Sequence, residues 1–262
     1  MAGPDVPNPH PHKKTKVLSL LVHAAAKVGK STLSSTAPKP ILVLDAEGSW
    51  RFIKVKKRHW DPMTEPIPRY DGTWEACIVT VTQWEQVLQI LRHLTQVEHD
   101  FKSVVIDSIT EIQRRLKANL KGTEAMQIQD WGQLLTQMDA VIRAYRDLTL
   151  LPGAVECVVM IAETREDKGK WKPYMQGQIG ISLPYLVDIC GYLYVDSIAD
   201  ADGQMTKKMR RLFIGTHPSF ESGERVQGTL GDVVDDPVIS EMIEKIFANI
   251  ELTDTEQEPT TA

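Results

Sequence analysis

Apolar residues follow two rhythms along this chain. Five stretches, at residues 17–22, 41–44, 77–81, 103–107 and 156–162, are short and almost continuously apolar. Runs of that length without polar alternation predict strands covered on both faces, the condition of a parallel sheet. Between them the spacing changes. Trp84, Val87, Leu88, Leu91 and Leu94 fall on one helical face, as do Leu134, Met138, Val141, Tyr145 and Leu148, so helices are predicted after 82 and over 131–148. The first opens on Thr82-Gln83-Trp84-Glu85, read as a capping box, and the second on Asp130 as its cap. Another helix is predicted over 109–120. A short one over 31–36 stops before Pro38 and Pro40. A last helix over 237–250 turns Ile239, Ile243, Ile246 and Ile250 inward. Strands at 189–195 and 208–214, joined by Ala-Asp-Ala-Asp-Gly at 199–203, predict a hairpin. The alternation gives an α/β fold, a mainly parallel twisted sheet flanked by helices with a C-terminal antiparallel hairpin.

Length and charge narrow the organisation. The chain has 262 residues, enough for one large domain, which the pattern places at 17–250. Residues 1–16, with Pro4, Pro7, Pro9 and Pro11, have little to bury and are expected to be a disordered arm. Residues 251–262 are expected to be an acidic disordered tail. Net charge is −5, and Glu251, Asp254, Glu256 and Glu258 hold four of those charges, leaving about −1 (−5 + 4) for the rest. A nucleic-acid partner would therefore meet a local basic patch, not a global field. Cys77, Cys157 and Cys190 are odd in number and far apart, which argues against a disulfide framework or a cysteine-rich zinc site and for a reducing, cytoplasmic setting. No apolar run approaches the roughly 18 residues of a membrane span, so no membrane partner is expected.

The chemistry lies where strands end. The strand at 17–22 runs into Ala24, Ala25, Ala26, Lys27, Val28, Gly29, Lys30, Ser31 and Thr32, which match G-x-x-x-x-G-K-[ST] from Gly29 onward. In that loop backbone N–H groups surround phosphate oxygens, the lysine reaches the β- and γ-phosphates, and the hydroxyl ligates magnesium. ATP and Mg²⁺ are the ligands it implies. Ala24 replaces the first glycine, so either the loop is strained there or it turns with negative φ. The strand at 41–44 ends in Asp45-Ala46-Glu47-Gly48, placing Glu47 to orient or deprotonate an attacking water, unless it is only a solvated turn acid. The strand at 103–107 ends in Asp107, which together with Ser31 suits magnesium. The strand at 156–162 ends in Glu163, Thr164 and Arg165.

Two segments mix cations with rings. Residues 52–60, from Phe52 to Trp60, suit either a nucleic-acid backbone or a plain surface helix or edge strand. Residues 166–182 form the longest glycine-rich, non-periodic stretch and are expected to be a loop. It carries Lys168, Lys170, Trp171, Lys172 and Tyr174, a set suited to single-stranded nucleic acid, with a lid or a structural loop as the alternatives.

This order of strand ends, with Asp130-Trp131, Leu183-Pro184 and Val187-Asp188, resembles the RecA-like P-loop ATPase core over roughly residues 17–230. It is most similar to the small phage RecA-like proteins of the Sak-four group, which act in single-strand annealing and recombination. The resemblance implies that Glu47 is the catalytic base, that Asp107 holds magnesium, and that the partners are single-stranded DNA, other copies of the chain and a single-strand-binding protein. The chain departs from relatives in having Glu163 in place of a glutamine and Gly223-Glu224-Arg225 in place of a Lys-x-Arg finger, of which Arg225 remains as a catalytic residue. The alternative function is a nucleotide-gated, weakly or non-hydrolysing adaptor of a replication protein.

Overall fold

The computed structural model describes residues 16–151, 155–199 and 205–255. In chain order the elements are β1 (Leu18–Ala24), α1 (Lys30–Ser34), β2 (Ile41–Asp45), β3 (Lys57–His59), β4 (Ala76–Thr80), α2 (Trp84–Gln96), β5 (Ser103–Asp107), α3 (Ile109–Lys121), α4 (Ile128–Asp147), β6 (Cys157–Asp167), β7 (Lys170–Tyr174), α5 (Ile179–Ser182), β8 (Ile189–Ala199), β9 (Met205–Phe213), β10 (Gly223–Glu224), β11 (Val233–Asp235) and α6 (Ile239–Thr255). All strands join one sheet in the order β11-β9-β8-β1-β6-β5-β2-β4-β3, with β10 beside β8 and β7 beside β6. The strands from β8 across β1 to β3 pair in parallel, as the continuous apolar runs require, and β8–β9 is the expected antiparallel hairpin.

Each central strand feeds two hydrophobic layers, because successive side chains point to opposite faces. Leu20 and Val22 pack with Leu33 of α1 and with Ile239, Ile243 and Ile246 of α6. Leu21, Leu42 and Leu44 pack on the other face with the stripe of α4, where Leu134, Met138 and Tyr145 are all buried. The hydroxyl of Tyr145 donates to Val87 O of α2 at 2.7 Å, so the helix layer is locked by a bond as well as by burial. Fully burying side chains of this size contributes about 1.5–3 kcal/mol each. Parallel register brings the strand ends level: Ala24 lies opposite Glu163, and Asp45 opposite Asp107.

Several expectations shift. Helix α4 starts a turn early, with Gln127 as its cap; Asp130 accepts the Gln127 N–H at 2.8 Å, so it is the reciprocal partner of the box and not its cap. Helix α2 is likewise capped by Gln83 and Gln86 in place of Thr82 and Glu85. Segment 52–60 contributes the edge strand β3, and Trp60 is buried while Phe52 is exposed. Helix α6 runs on to Thr255, into the region where a tail begins by composition. Residues 1–15 and 256–262, the turn at 200–204 and the Pro152-Gly153 break lie outside the described residues.

The clearest correction concerns 166–182, which is not a loop over its first half. Strand β6 continues to Asp167 and folds back through Lys168 (φ 52°) and Gly169 (φ 80°) into β7, with Asp167 paired to Lys170. Two consecutive residues at positive φ make the tight turn whose twist matches a hairpin. Periodicity concealed it because β7 alternates cations with Trp171 and Pro173 and has no apolar run. Trp171 pairs further with the segment after His217: its N–H donates to Ser219 O, and its carbonyl accepts from Glu221 N, each at 2.8 Å.

Candidate functional site

The loop after β1 turns where its backbone permits. Ala24 ends the strand, is buried and is not among the residues at positive φ; the turn is taken by Lys27 (φ 63°) and Gly29 (φ 109°). The missing glycine therefore leaves no steric conflict at Ala24, and the conformational demand falls on Gly29. Of the predicted loop residues, Ala24, Ala25, Ala26, Lys27, Gly29, Lys30, Ser31 and Thr32 line a cleft of about 610 Å³. Val28 does not. It packs into the apolar layer under α1 and anchors the loop from behind.

Six further residues close the cleft: Glu47, Ser49, Ile53, Asp107, Glu163 and Thr164. Asp107 is 2% exposed, and its Oδ2 accepts from Ser31 Oγ at 2.6 Å, Ser49 Oγ at 2.9 Å and Trp50 Nε1 at 3.0 Å. Burial pushes the Asp107 carboxyl above its ordinary value, the Ser31 and Ser49 hydrogen bonds oppose that, and the nearby Asp45 adds to it. Asp45 itself accepts the backbone N–H groups of Ser49 and Trp50 at 3.1 and 3.2 Å, which fixes the turn that presents Ser49. Glu47 is exposed toward the cleft and is held by Ser108 Oγ at 2.5 Å, while Ser108 also caps α3.

Lys30 donates to the carbonyls of Ala24 and Ala25 at 3.2 and 3.1 Å. Burial lowers its pKa, and Glu47, Asp107 and Glu163 oppose the shift. Those carbonyl bonds are ones that a phosphate oxygen can replace with stronger, charge-assisted bonds. Among the described residues no three His, Cys, Asp or Glu side chains cluster as a metal cage. One carboxylate beside one hydroxyl is the donor set of a magnesium ion that completes its shell with phosphate oxygens and water, so Asp107 and Ser31 fit it.

Ser49, Trp50, Ser108 and Arg114 escaped sequence reading. The first two follow the Asp45–Gly48 turn directly, and a strand end followed by hydroxyl and indole donors is the signal available. Arg114 clamps Glu163 through both carboxylate oxygens at 2.6 and 2.8 Å. His23, just before Ala24, donates from Nε2 to Glu221 O at 2.7 Å and faces Thr164 Oγ1 at 3.1 Å; burial lowers its pKa to about 4, so it is neutral. It ties the loop to the strand segment beside Trp171.

The other predicted residues stand apart from the cleft. Lys168 and Trp171 are exposed on the β6–β7 hairpin, Lys170 pairs with Glu221 at 3.0 Å, Lys172 pairs with Asp167 at 2.9 Å, and Tyr174 lies under Arg165. Arg225 is exposed beside a second, smaller cavity, bonded to Tyr185 O and 3.9 Å from Asp188. It does not line the cleft of its own chain.

Comparison with known proteins agrees with this arrangement at the level of the domain. Residues 16–226 match the family described as AAA domain. No curated protein matches the chain. Among solved structures it is similar to a prototypical ATPase from the type III secretion system of pathogenic bacteria, 13% identical with a TM-score of 0.44. That match covers 67% of this chain and 51% of the other, so the chain spans about half the length of that ATPase. Among the described residues no helix is long and apolar enough to cross a membrane.

Proposed function

This chain belongs to the AAA domain family, matched over residues 16–226, and on that premise we propose that it binds ATP with Mg²⁺ and hydrolyses it in the cleft after β1. The observation that carries the reading is the convergence of Ser31, Ser49 and Trp50 on the buried Asp107, with Lys30 and Glu47 facing the same space. Lys30 exchanges its carbonyl partners for the β- and γ-phosphates. Magnesium, when bound, neutralises phosphate charge, and Asp107 and Ser31 are the residues that hold it. Glu47, aimed by Ser108, aligns the attacking water.

The proposed polymer partner is single-stranded DNA, in annealing or recombination of the phage RecA-like kind, met by Lys168, Lys170, Trp171, Lys172 and Tyr174. An exposed ion pair contributes about 0–1 kcal/mol, so a phosphate displaces Asp167 from Lys172 at small cost. Arg225, outside its own cleft, is assigned to the nucleotide of a neighbouring copy in a homo-oligomer. One observation favours the adaptor reading instead: both Lys170 and Lys172 already carry acidic partners.

Steady-state hydrolysis of Mg-ATP with and without oligo-dT, using wild type and Lys30→Ala, separates them. Hydrolysis raised by oligo-dT and lost in Lys30→Ala supports the ATPase. Nucleotide binding without hydrolysis, unchanged by oligo-dT, supports the adaptor.

A further inference from the structure

Adjacent arginines on β9 have opposite fates. Arg211 is spent on structure, its guanidinium reaching Asp196 at 2.6 Å and Asp235 at 2.9 Å, which ties β9 to β8 and β11. Arg210 points to the other face of the sheet, the face of Leu212 and α1. Its backbone is pinned, donating to Asp236 Oδ1 at 3.2 Å and accepting from Asp236 N at 2.7 Å. Its side chain crosses to the phosphate loop. A Cβ on Gly29 would fall 3.1 Å from Arg210 Cδ and 3.3 Å from its Nε. The arginine is exposed, and among the described residues its guanidinium has no ion pair.

Sheet order says which end of a nucleotide would meet it. Asp107 and Glu47, which mark the terminal phosphate and the water, follow β5 and β2, on one side of β1. A nucleotide whose phosphates lie along residues 24–32 must carry its sugar and base away from that end, toward the side of β1 occupied by β8 and β9. Arg210 stands there. A planar guanidinium on a pinned strand is suited to lie on an aromatic base, and its stem covers the one loop position that lacks a side chain.

We propose that Arg210 is a nucleotide-binding residue that holds the nucleoside end of ATP by stacking on the base, an assignment that rests on the nucleotide reading above. The phosphates are left to Lys30 and Ser31, so Arg210 discriminates a nucleotide from a bare polyphosphate.

The test is calorimetric titration of the full chain with Mg-ATP and, separately, with magnesium tripolyphosphate, for wild type, Arg210→Ala and Arg210→Lys. The expected result is a loss of about three- to thirtyfold in ATP affinity for Arg210→Ala. Tripolyphosphate affinity should stay within about twofold, which also shows that the loop is intact. Arg210→Lys should fall between, because it keeps charge and loses the planar face. An equal loss for both ligands would move Arg210 onto the phosphate chain and overturn the base assignment. ATP binding unchanged in Arg210→Ala overturns it as well while leaving the nucleotide reading standing. Wild type that binds neither ligand overturns both.

Discussion

Strand β6 passes through two polar environments, and they behave oppositely. Its buried half runs beside the cleft, where three carboxylates each accept from other side chains: three donors on the buried Asp107, Ser108 on Glu47, Arg114 on Glu163. Its outer half enters the hairpin, where Lys172 meets Asp167 in an open ion pair and Lys170 meets Glu221 in a half-buried one. An unpaired polar group costs about 1–3 kcal/mol when buried, so the donors around the buried Asp107 are set before any ligand arrives. Solvent relaxes that compulsion at the hairpin, most of all for the Lys172–Asp167 pair. The cleft is thus suited to chemistry that depends on placement, and the hairpin to contacts that tolerate variation. His23 bridges the two through Glu221 O.

The comparison breaks most easily at Glu47. If the cleft is built for placement, Glu47→Gln lowers single-turnover hydrolysis by about 10²- to 10⁴-fold, the range for a positioned acid or base, with ATP affinity nearly unchanged. Unchanged turnover would return Glu47 to the role of a solvated turn acid.

On the hairpin the effects are smaller and depend on salt. Trp171→Ala should weaken oligo-dT binding by about 1–3 kcal/mol, measured by fluorescence anisotropy, and Lys170→Ala/Lys172→Ala should flatten the salt dependence. Variants that bind like wild type would move the DNA surface elsewhere.

Acidity sharpens the contrast further. The Asp107 carboxyl has a folded pKa above its unfolded one, so the folded state holds that proton more tightly. Burial of its charge costs nothing below the unfolded value and its full amount above the folded one. As pH falls through that window, metal-free protein should gain stability from this group while magnesium-dependent ATP binding weakens, above the usual range of an aspartate. Thermal melts and calorimetry against pH, with Asp107→Asn as control, check it; identical profiles for wild type and variant would remove Asp107 from the metal site.

The smallest expected effect is at Ala24. Restoring the motif's glycine by Ala24→Gly should leave ATP affinity within about twofold, because the turn is made at Lys27 and Gly29. A large gain on titration would show that alanine does constrain the loop.

Much of this was legible from residue order. Continuous apolar runs located β1, β2, β4, β5 and the buried part of β6, since strands covered on both faces leave no other pattern. Gly29-Lys30-Ser31 marked the loop, and the polar ends of β2 and β5 marked Glu47 and Asp107. The β6–β7 hairpin was missed because an edge of alternating lysines has no apolar face to betray it. The caps of α2 and α4 were misplaced because several residues near each start can serve.

The sequence by itself determined the kinds and order of the elements and the loop that follows β1, because burial periodicity and turn chemistry act over a few residues. Only the tertiary structure decided that Ser31, Ser49 and Trp50 share one carboxylate, that Val28 turns inward, that His23 reaches Glu221, and that Arg210 rests on Gly29. Those contacts depend on strand order and register, which bring distant segments level at one edge of the sheet, and no local pattern encodes them.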